Sequence, residues 1–265
     1  MKSSEVRPIS VKALSSCASA RYTECIEHVA SLDAVALASA SPRRRELLAS
    51  LGLRVTVIPS AYDERPLPGL DPAATALRHA RGKASGATPS AELIVAADTV
   101  VDVDSEALGK PADAAEARAM LRRLSGRWHV VHTAFALRDD RTGATFAQTV
   151  STRVRFADLD DMTVDAYAAS GDGLDKAGGY GIQGFAATLV ERIDGDYFTV
   201  VGFPLAAFAA ALPQLGYRLV PLTPMNVVMD RAPSNRAEPE LHIARSDPGA
   251  PRKAWGARSL GRSAL

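Results

Sequence analysis

Residues 34–58 read AVALASASPRRRELLASLGLRVTVI, and their pattern decides the fold class. Ala34 to Ala38 is a short apolar run, and Leu53 to Ile58 is a second one rich in β-branched residues. Between them Ser41 stands at an N-cap and Pro42 at the first helical position, with Leu47, Leu48 and Leu51 as an apolar stripe. Strand, helix, strand is the repeating unit of an α/β sheet. The helix carries an oddity: Arg43, Arg44 and Arg45 crowd its first turn. The partial positive charge there disfavours each cation by roughly 0.3–1 kcal/mol, so three of them call for an anion.

Outward from this unit the pattern stays regular. Asp71-Pro72 opens a helix whose buried face is expected at Ala73, Leu77, Ala80 and Ala84. Leu93 to Val101, LIVAADTVV, is apolar almost without a break, the mark of a strand buried on both faces, and Asp98 interrupts it. Asp113 and Glu116 form a capping-box start ahead of Ala117, Met120, Leu121 and Leu124. Trp128 to Leu137 and Thr145 to Phe156 read as strands joined by the turn DDRTGA, and Thr163 to Ala169 as a short helix. The glycine-rich stretch GDGLDKAGGYGIQG fills residues 171–184, followed by the apolar segment Ala187 to Ile193, a turn at Asp194-Gly195, a short strand, and a last helix from Pro204 to Leu215. This predicts a mixed α/β core over 34–220. Residues 1–33, Ser-rich and weakly patterned, are expected to be a poorly ordered extension, and the polar 221–265 a disordered tail.

Bulk properties exclude several roles. Of 265 residues 47% are hydrophobic and 23% charged, as in an ordinary globular protein. Lys and Arg total 31 against 30 acidic residues, which gives no general affinity for nucleic acid or a membrane surface. No run of 18 apolar residues is present, and Cys17 and Cys25 are the sole cysteines, so the reading is cytoplasmic, without disulfides, export or membrane spans. His129 and His132, three apart in a strand, point to opposite faces and cannot chelate one metal. Cys17, Cys25 and His28 lack a zinc-site spacing.

A carboxylate at the end of an apolar strand loses hydration and persists with a cation, a metal or hydrogen-bond donors. Asp98 is therefore a candidate site residue, and the turn Leu108-Gly109-Lys110-Pro111 can return Lys110 over the same strand end. Glu64, in the Pro-stiffened loop AYDERP, joins Asp98 if the neighbouring strands end on one side, and the two carboxylates suffice for a divalent cation such as Mg²⁺. Arg43, Arg44, Lys83, Lys110 and Lys176 all flank glycines, strand ends or helix starts, a number of local cations that suits several phosphates. The glycines of 178–184 are neither a Walker A loop nor a dinucleotide fingerprint, but Gln183 among them offers an amide that can pair with O4 and N3–H of uracil or thymine.

Six motifs in order, LASASPRRRELLASLG, AADTVV, LGKP, LRRLSGRWHVVHTA, LDKAGGYGIQG and IDGDYFTVVGFPL, resemble the Maf family of nucleoside triphosphate pyrophosphatases from about Val35 to Tyr217. The resemblance implies an elongated mixed α/β fold with a central cleft, similar to inosine triphosphate pyrophosphatases. It implies cleavage between the α- and β-phosphates of a nucleoside triphosphate with a divalent cation, Mg²⁺ or Mn²⁺. On it Asp98 matches the acid that activates water, Arg43, Thr99 and Gln183 match specificity positions, and Glu64, Lys83 and Lys110 match the polar cleft, with Arg44 and Lys176 beside them. Thr99 with Gln183 looks like the subgroup acting on dTTP and UTP, as opposed to the one acting on 7-methyl-GTP. A nucleotide-binding regulator of septum formation without turnover is the reading from another class. Homodimerisation is left open.

Overall fold

The computed structural model describes residues 29–221. Cys17, Cys25, His28, the expected extension as far as residue 28 and the expected tail from 222 lie outside the described residues. Strand β1 (Ala30–Ser31) is followed by β2 (Ala34–Leu37), helix α1 (Pro42–Ser50) and β3 (Arg54–Val57), the strand–helix–strand unit legible at 34–58. Helix α2 (Pro72–Ser85) leads into the long strand β4 (Leu93–Val103) and the short β5 (Glu106–Leu108). After α3 (Ala114–Leu124) come the long strands β6 (Trp128–Arg138) and β7 (Thr145–Phe156), then α4 (Asp161–Ser170), β8 (Val190–Asp194), α5 (Tyr197–Val201), α6 (Leu205–Ala211) and β9 (Tyr217–Arg218).

The main sheet runs β3-β2-β4-β6-β7-β8, with β5 folded back on the end of β4. Strands β2, β3 and β4 are parallel, as crossovers through helices require, whereas β6, β7 and β8 continue antiparallel, β6 and β7 through a direct turn and β7 and β8 through a long connection that contains α4. The mixed sheet flanked by helices is the α/β architecture expected. Central β4 is buried on both faces as its unbroken apolar run predicted. Its odd-numbered residues Val95 and Ala97 pack with Phe135, Phe203 and Phe208, while Ile94 and Ala96 meet α2 on the other face.

That α2 interface is nearly all alanine: Ala76, Ala80 and Ala84 against Ala96, Ala134 and Ala136. Small side chains on both sides let the helix backbone lie close to the sheet, which sets how far a longer side chain at its edge must reach. The buried face is rotated from the expected one, for Thr75 and His79 complete it and Ala73 and Leu77 are only half-buried.

The remaining departures have local causes. Ala30–Ser31, inside the segment read as an extension, pairs in parallel with Tyr217–Arg218, a long-range contact that no local pattern announces. Residues Gly184–Leu189 wind as a 3-10 turn, and strand β8 begins at Val190, within the Ala187–Ile193 segment. The short strand expected after Asp194-Gly195 is helix α5, because the Asp196 carboxylate accepts from the backbone N–H of Thr199 at 2.7 Å and caps it. Ser41 occupies the N-cap position of α1 but makes no side-chain capping bond; Ser39 Oγ instead accepts from the Ser41 N–H at 3.3 Å. Among the described residues no helix is long and apolar enough to cross a membrane.

Candidate active site

The sheet has a gap. Strand β2 pairs with β4 only as far as Val95, and β5 pairs with it from Val101, so on that side residues 96–100 meet no strand among the described residues. A cleft of about 1850 Å³ opens there. Because it opens at a strand edge, it reaches both faces of the sheet, and successive residues of β4 line it from opposite sides. Asp98 points toward α2 and Thr99 toward α5.

On the α2 side Asp98 is 6% exposed, and the Lys83 ammonium donates to its Oδ1 at 2.6 Å. The same Nζ lies 2.7 Å from Glu64 Oε2, so one lysine is shared by two carboxylates. Burial pushes the Asp98 carboxyl above the usual carboxylate range, against the pull of Lys83 and Arg44. Burial acts upward on Glu64 too, but the hydrogen bond and charge of Lys83 outweigh it and hold Glu64 below that range. Two acids driven apart by their surroundings is the arrangement from which acid–base roles are assigned.

Asp98 lies in the middle of β4 and not at a strand end as expected, and Glu64, after the parallel β3, reaches the Lys83 ammonium that Asp98 also holds. Among the described residues no group of three or more His, Cys, Asp or Glu is placed to hold a metal ion. The donor set nevertheless suits one that keeps most of its waters: two carboxylates face one ammonium, and the second oxygen of each accepts no hydrogen bond from the described protein.

On the α5 side Arg44 is committed to the protein. Its Nε donates to Gly202 O at 2.9 Å, one terminal nitrogen to Ser39 Oγ at 3.1 Å and the other to Thr99 Oγ1 at 3.0 Å. Thr99 Oγ1 also shares a 3.0 Å hydrogen bond with Thr133, whose hydroxyl donates to Thr199 O at 2.7 Å. Arg44 thus lines the cleft beside Arg43 while three of its five donors are held by the fold. A guanidinium buried one residue further round the helix needs acceptors, and it has found three in the fold. Burial also lowers its pKa from the ordinary value.

Arg43 remains at the cleft, with a terminal nitrogen 3.1 Å from Asp175 Oδ2. Lys176 donates to Asp175 Oδ1 at 2.7 Å, and Asp175 is held below its usual range: burial works upward, but Lys176 and Arg43 prevail. One exposed carboxylate therefore spaces two cations. Arg45, a further 100° round the helix, is exposed. Gly178, at φ +71°, donates its N–H to Gly109 O at 2.9 Å, which fastens the LDKAGG turn to the LGKP loop and sets exposed Lys110 on the cleft wall. Gln183 is exposed in the same cleft, with no hydrogen bond among the described residues.

Asp175, Ser39, Thr133 and Gly202 were not singled out by sequence, since each acts through a partner distant in the chain. Tyr62 and His79, of which His79 lines the cleft, had one legible signal: His79 stands four residues before Lys83, hence on the same helix face. The histidine pair behaves as predicted. His129 Nε2 lies 2.7 Å from the Tyr180 hydroxyl on one face and His132 Nδ1 lies 2.7 Å from Ser151 Oγ on the other.

A family model described as Maf-like protein matches residues 34–215. The dTTP/UTP pyrophosphatase of Thermus thermophilus is 48% identical over 182 residues, spanning 69% of this chain and 95% of that protein. The dTTP/UTP pyrophosphatase of Anaeromyxobacter dehalogenans (strain 2CP-1) is 49% identical over 185 residues, covering 69% and 94% respectively. That of Geobacter metallireducens is 46% identical over 184 residues, covering 69% and 96%. Among solved structures, a HAM1 protein from Coxiella burnetii aligns over 70% of this chain and 97% of its own at 18% identity and a TM-score of 0.38, a likeness too distant to bear on the assignment.

Proposed function

The chain belongs to the Maf-like family, and from that premise we propose that it is a nucleotide pyrophosphatase hydrolysing dTTP and UTP to the nucleoside monophosphate and pyrophosphate. The observation that carries the chemistry is the Asp98–Lys83–Glu64 cluster, with Asp98 buried, in a cleft that Arg43, Arg44, Lys110 and Lys176 also line. The names of the relatives support the pyrimidine substrates, and nothing in them favours 7-methyl-GTP or a regulator without turnover.

Transfer at a phosphate needs an aligned nucleophile and neutralised oxygens more than it needs covalent chemistry. Asp98 is the group we assign to orient water and take its proton, and a carboxyl raised by burial is the better base near neutral pH. Lys83 holds that carboxylate in place with one donor and Glu64 with a second, leaving a third for a phosphate oxygen. Arg43, Lys176 and Lys110 are assigned to the phosphates, Arg43 with the forked geometry that suits them. Glu64 and Asp98 are the residues that would hold a divalent cation, Mg²⁺ or Mn²⁺, whose contribution is charge neutralisation on the phosphates. Gln183 is assigned to the base, where an amide matches the donor–acceptor edge shared by uracil and thymine. Thr99 is assigned to specificity through Arg44, the partner its hydroxyl holds.

Pyrophosphate release from UTP, dTTP, CTP, GTP and 7-methyl-GTP with Mg²⁺ or Mn²⁺ tests this. Turnover should favour UTP and dTTP, and Asp98→Asn should abolish most of kcat while the protein stays folded. A preference for 7-methyl-GTP, or undiminished turnover by Asp98→Asn, would overturn the assignment.

A further inference from the structure

The loop that carries Glu64 is stitched to the end of α2 and then let go. Ala61 N–H donates to Gly86 O at 2.8 Å, Ser60 Oγ donates to Lys83 O at 2.9 Å, and Thr88 N–H donates to Pro59 O at 3.1 Å. Tyr62 closes the seam. Its hydroxyl and His79 Nδ1 share a 3.0 Å hydrogen bond, and the two rings meet edge to face with centroids 5.8 Å apart. The Tyr62 ring lies across Gly82, where a Cβ would fall inside it, so the seam requires glycine at that helical position. His79 is 5% exposed and Tyr62 half-buried. From Asp63 to Leu70, among the described residues, the hydrogen bonds and ion pairs that leave the segment come down to Glu64 with Lys83. Tyr62 is therefore the last anchored residue before Glu64, fixed to the helix that carries Lys83 one turn beyond His79.

The geometry points to Tyr62, His79 and Gly82 as a positioning clasp that sets the Glu64 carboxylate against Lys83. A lone ion pair with a half-exposed glutamate holds its partner weakly. A ring locked over a glycine, with its hydroxyl bonded to His79 one helical turn before Lys83, fixes the backbone two residues upstream and leaves Glu64 few places to go. Tyr62 and Gly82 stand behind the cleft lining, and the three act through Glu64. The inference rests on the pyrophosphatase reading for its kinetic test and not for its structural one.

The experiment is a cycle of Tyr62→Phe, which keeps the ring and removes the hydroxyl, with Glu64→Gln, supplemented by His79→Gln. Backbone ¹⁵N relaxation dispersion on the nucleotide-free proteins should show added conformational exchange across residues 63–70 in Tyr62→Phe and in His79→Gln, with α2 and the melting temperature nearly unchanged. Turnover of UTP should fall on the order of 10-fold in kcat, the scale of a small misplacement, with KM little altered. In the Glu64→Gln background the same Tyr62→Phe change should cost less than about 2-fold, because a residue acting through Glu64 has nothing left to position. Unchanged exchange at 63–70 overturns the clasp, as does an equal loss of kcat in both backgrounds. A kcat that merely follows the melting temperature across the variants also counts against it. A wild-type protein that turns over no nucleotide would refute the proposed activity alone and leave the exchange result to decide the clasp.

Discussion

Replacing Lys83 with Met strikes the centre of the site. Met keeps most of the apolar stem and removes the ammonium that lies 2.6 Å from Asp98 and 2.7 Å from Glu64. The two acids respond differently. Glu64, half exposed, turns to solvent at little cost. Asp98 has 8% of its side chain exposed and cannot leave, and stripping one partner from a buried pair costs about 3–5 kcal/mol. The charge of Arg44 still favours the Asp98 anion, so the lower end, about 3 kcal/mol, is the expected loss. The double variant Lys83→Met/Asp98→Asn should recover most of it, since no buried charge then lacks its partner. A sign test accompanies the magnitude. In Lys83→Met the folded-state Asp98 is raised further above its unfolded value, so it contributes stability at acid pH that is lost as pH rises. The deficit against wild type should therefore shrink from pH 7.5 toward pH 5. Urea unfolding followed by circular dichroism reads both quantities. A single variant within about 0.5 kcal/mol of wild type, the range of an ordinary surface change, would refute the reasoning, as would a double variant no more stable than the single one.

His129 gives a second pH dependence of opposite sense. It is 2% exposed, and burial pushes it down to about 4, so its contribution is complete above pH 6.5 and lost as pH falls toward 4. Between pH 7.5 and 5 that amounts to about 2 kcal/mol, and His129→Gln should flatten the wild-type stability slope by this much; equal slopes would contradict it. Arg43→Ala should raise KM for UTP well beyond the effect of Arg45→Ala in steady-state assays, because Arg43 lines the cleft and Arg45 is exposed on the helix. Equal effects would remove Arg43 from the phosphates.

The elements that the chain announced were those with strong local signals. The helix at 42–50 was marked by its proline, the one at 114–124 by Asp113 and by four apolar residues that are all buried, and the strand at 93–103 by an apolar run broken once. Helix α5 was missed because its five residues are β-branched and aromatic, and only the Asp196 cap favours winding them. The pairing of Ala30–Ser31 with Tyr217–Arg218 was missed because two residues carry no period.

For the site, sequence alone determined which residue types were out of place: a carboxylate in an apolar strand, arginines at a helix N-terminus, glycines around a lysine. Those are local anomalies of burial and charge, and one strand or one turn of helix is enough to reveal them. Only the tertiary structure decided what each anomaly faces. Strand alternation put Asp98 and Thr99 on opposite sides of one sheet, and a break in strand pairing at residues 96–100 let a single cleft reach both. One hundred degrees of helix gave the two cleft-lining arginines different partners, Asp175 for Arg43 and Ser39, Thr99 and Gly202 for Arg44. An alanine-lined interface brought α2 near enough for Lys83 to stand between Glu64 and Asp98. Partners of that kind are fixed by distances across the core, and a sequence records them only once the chain has closed around it.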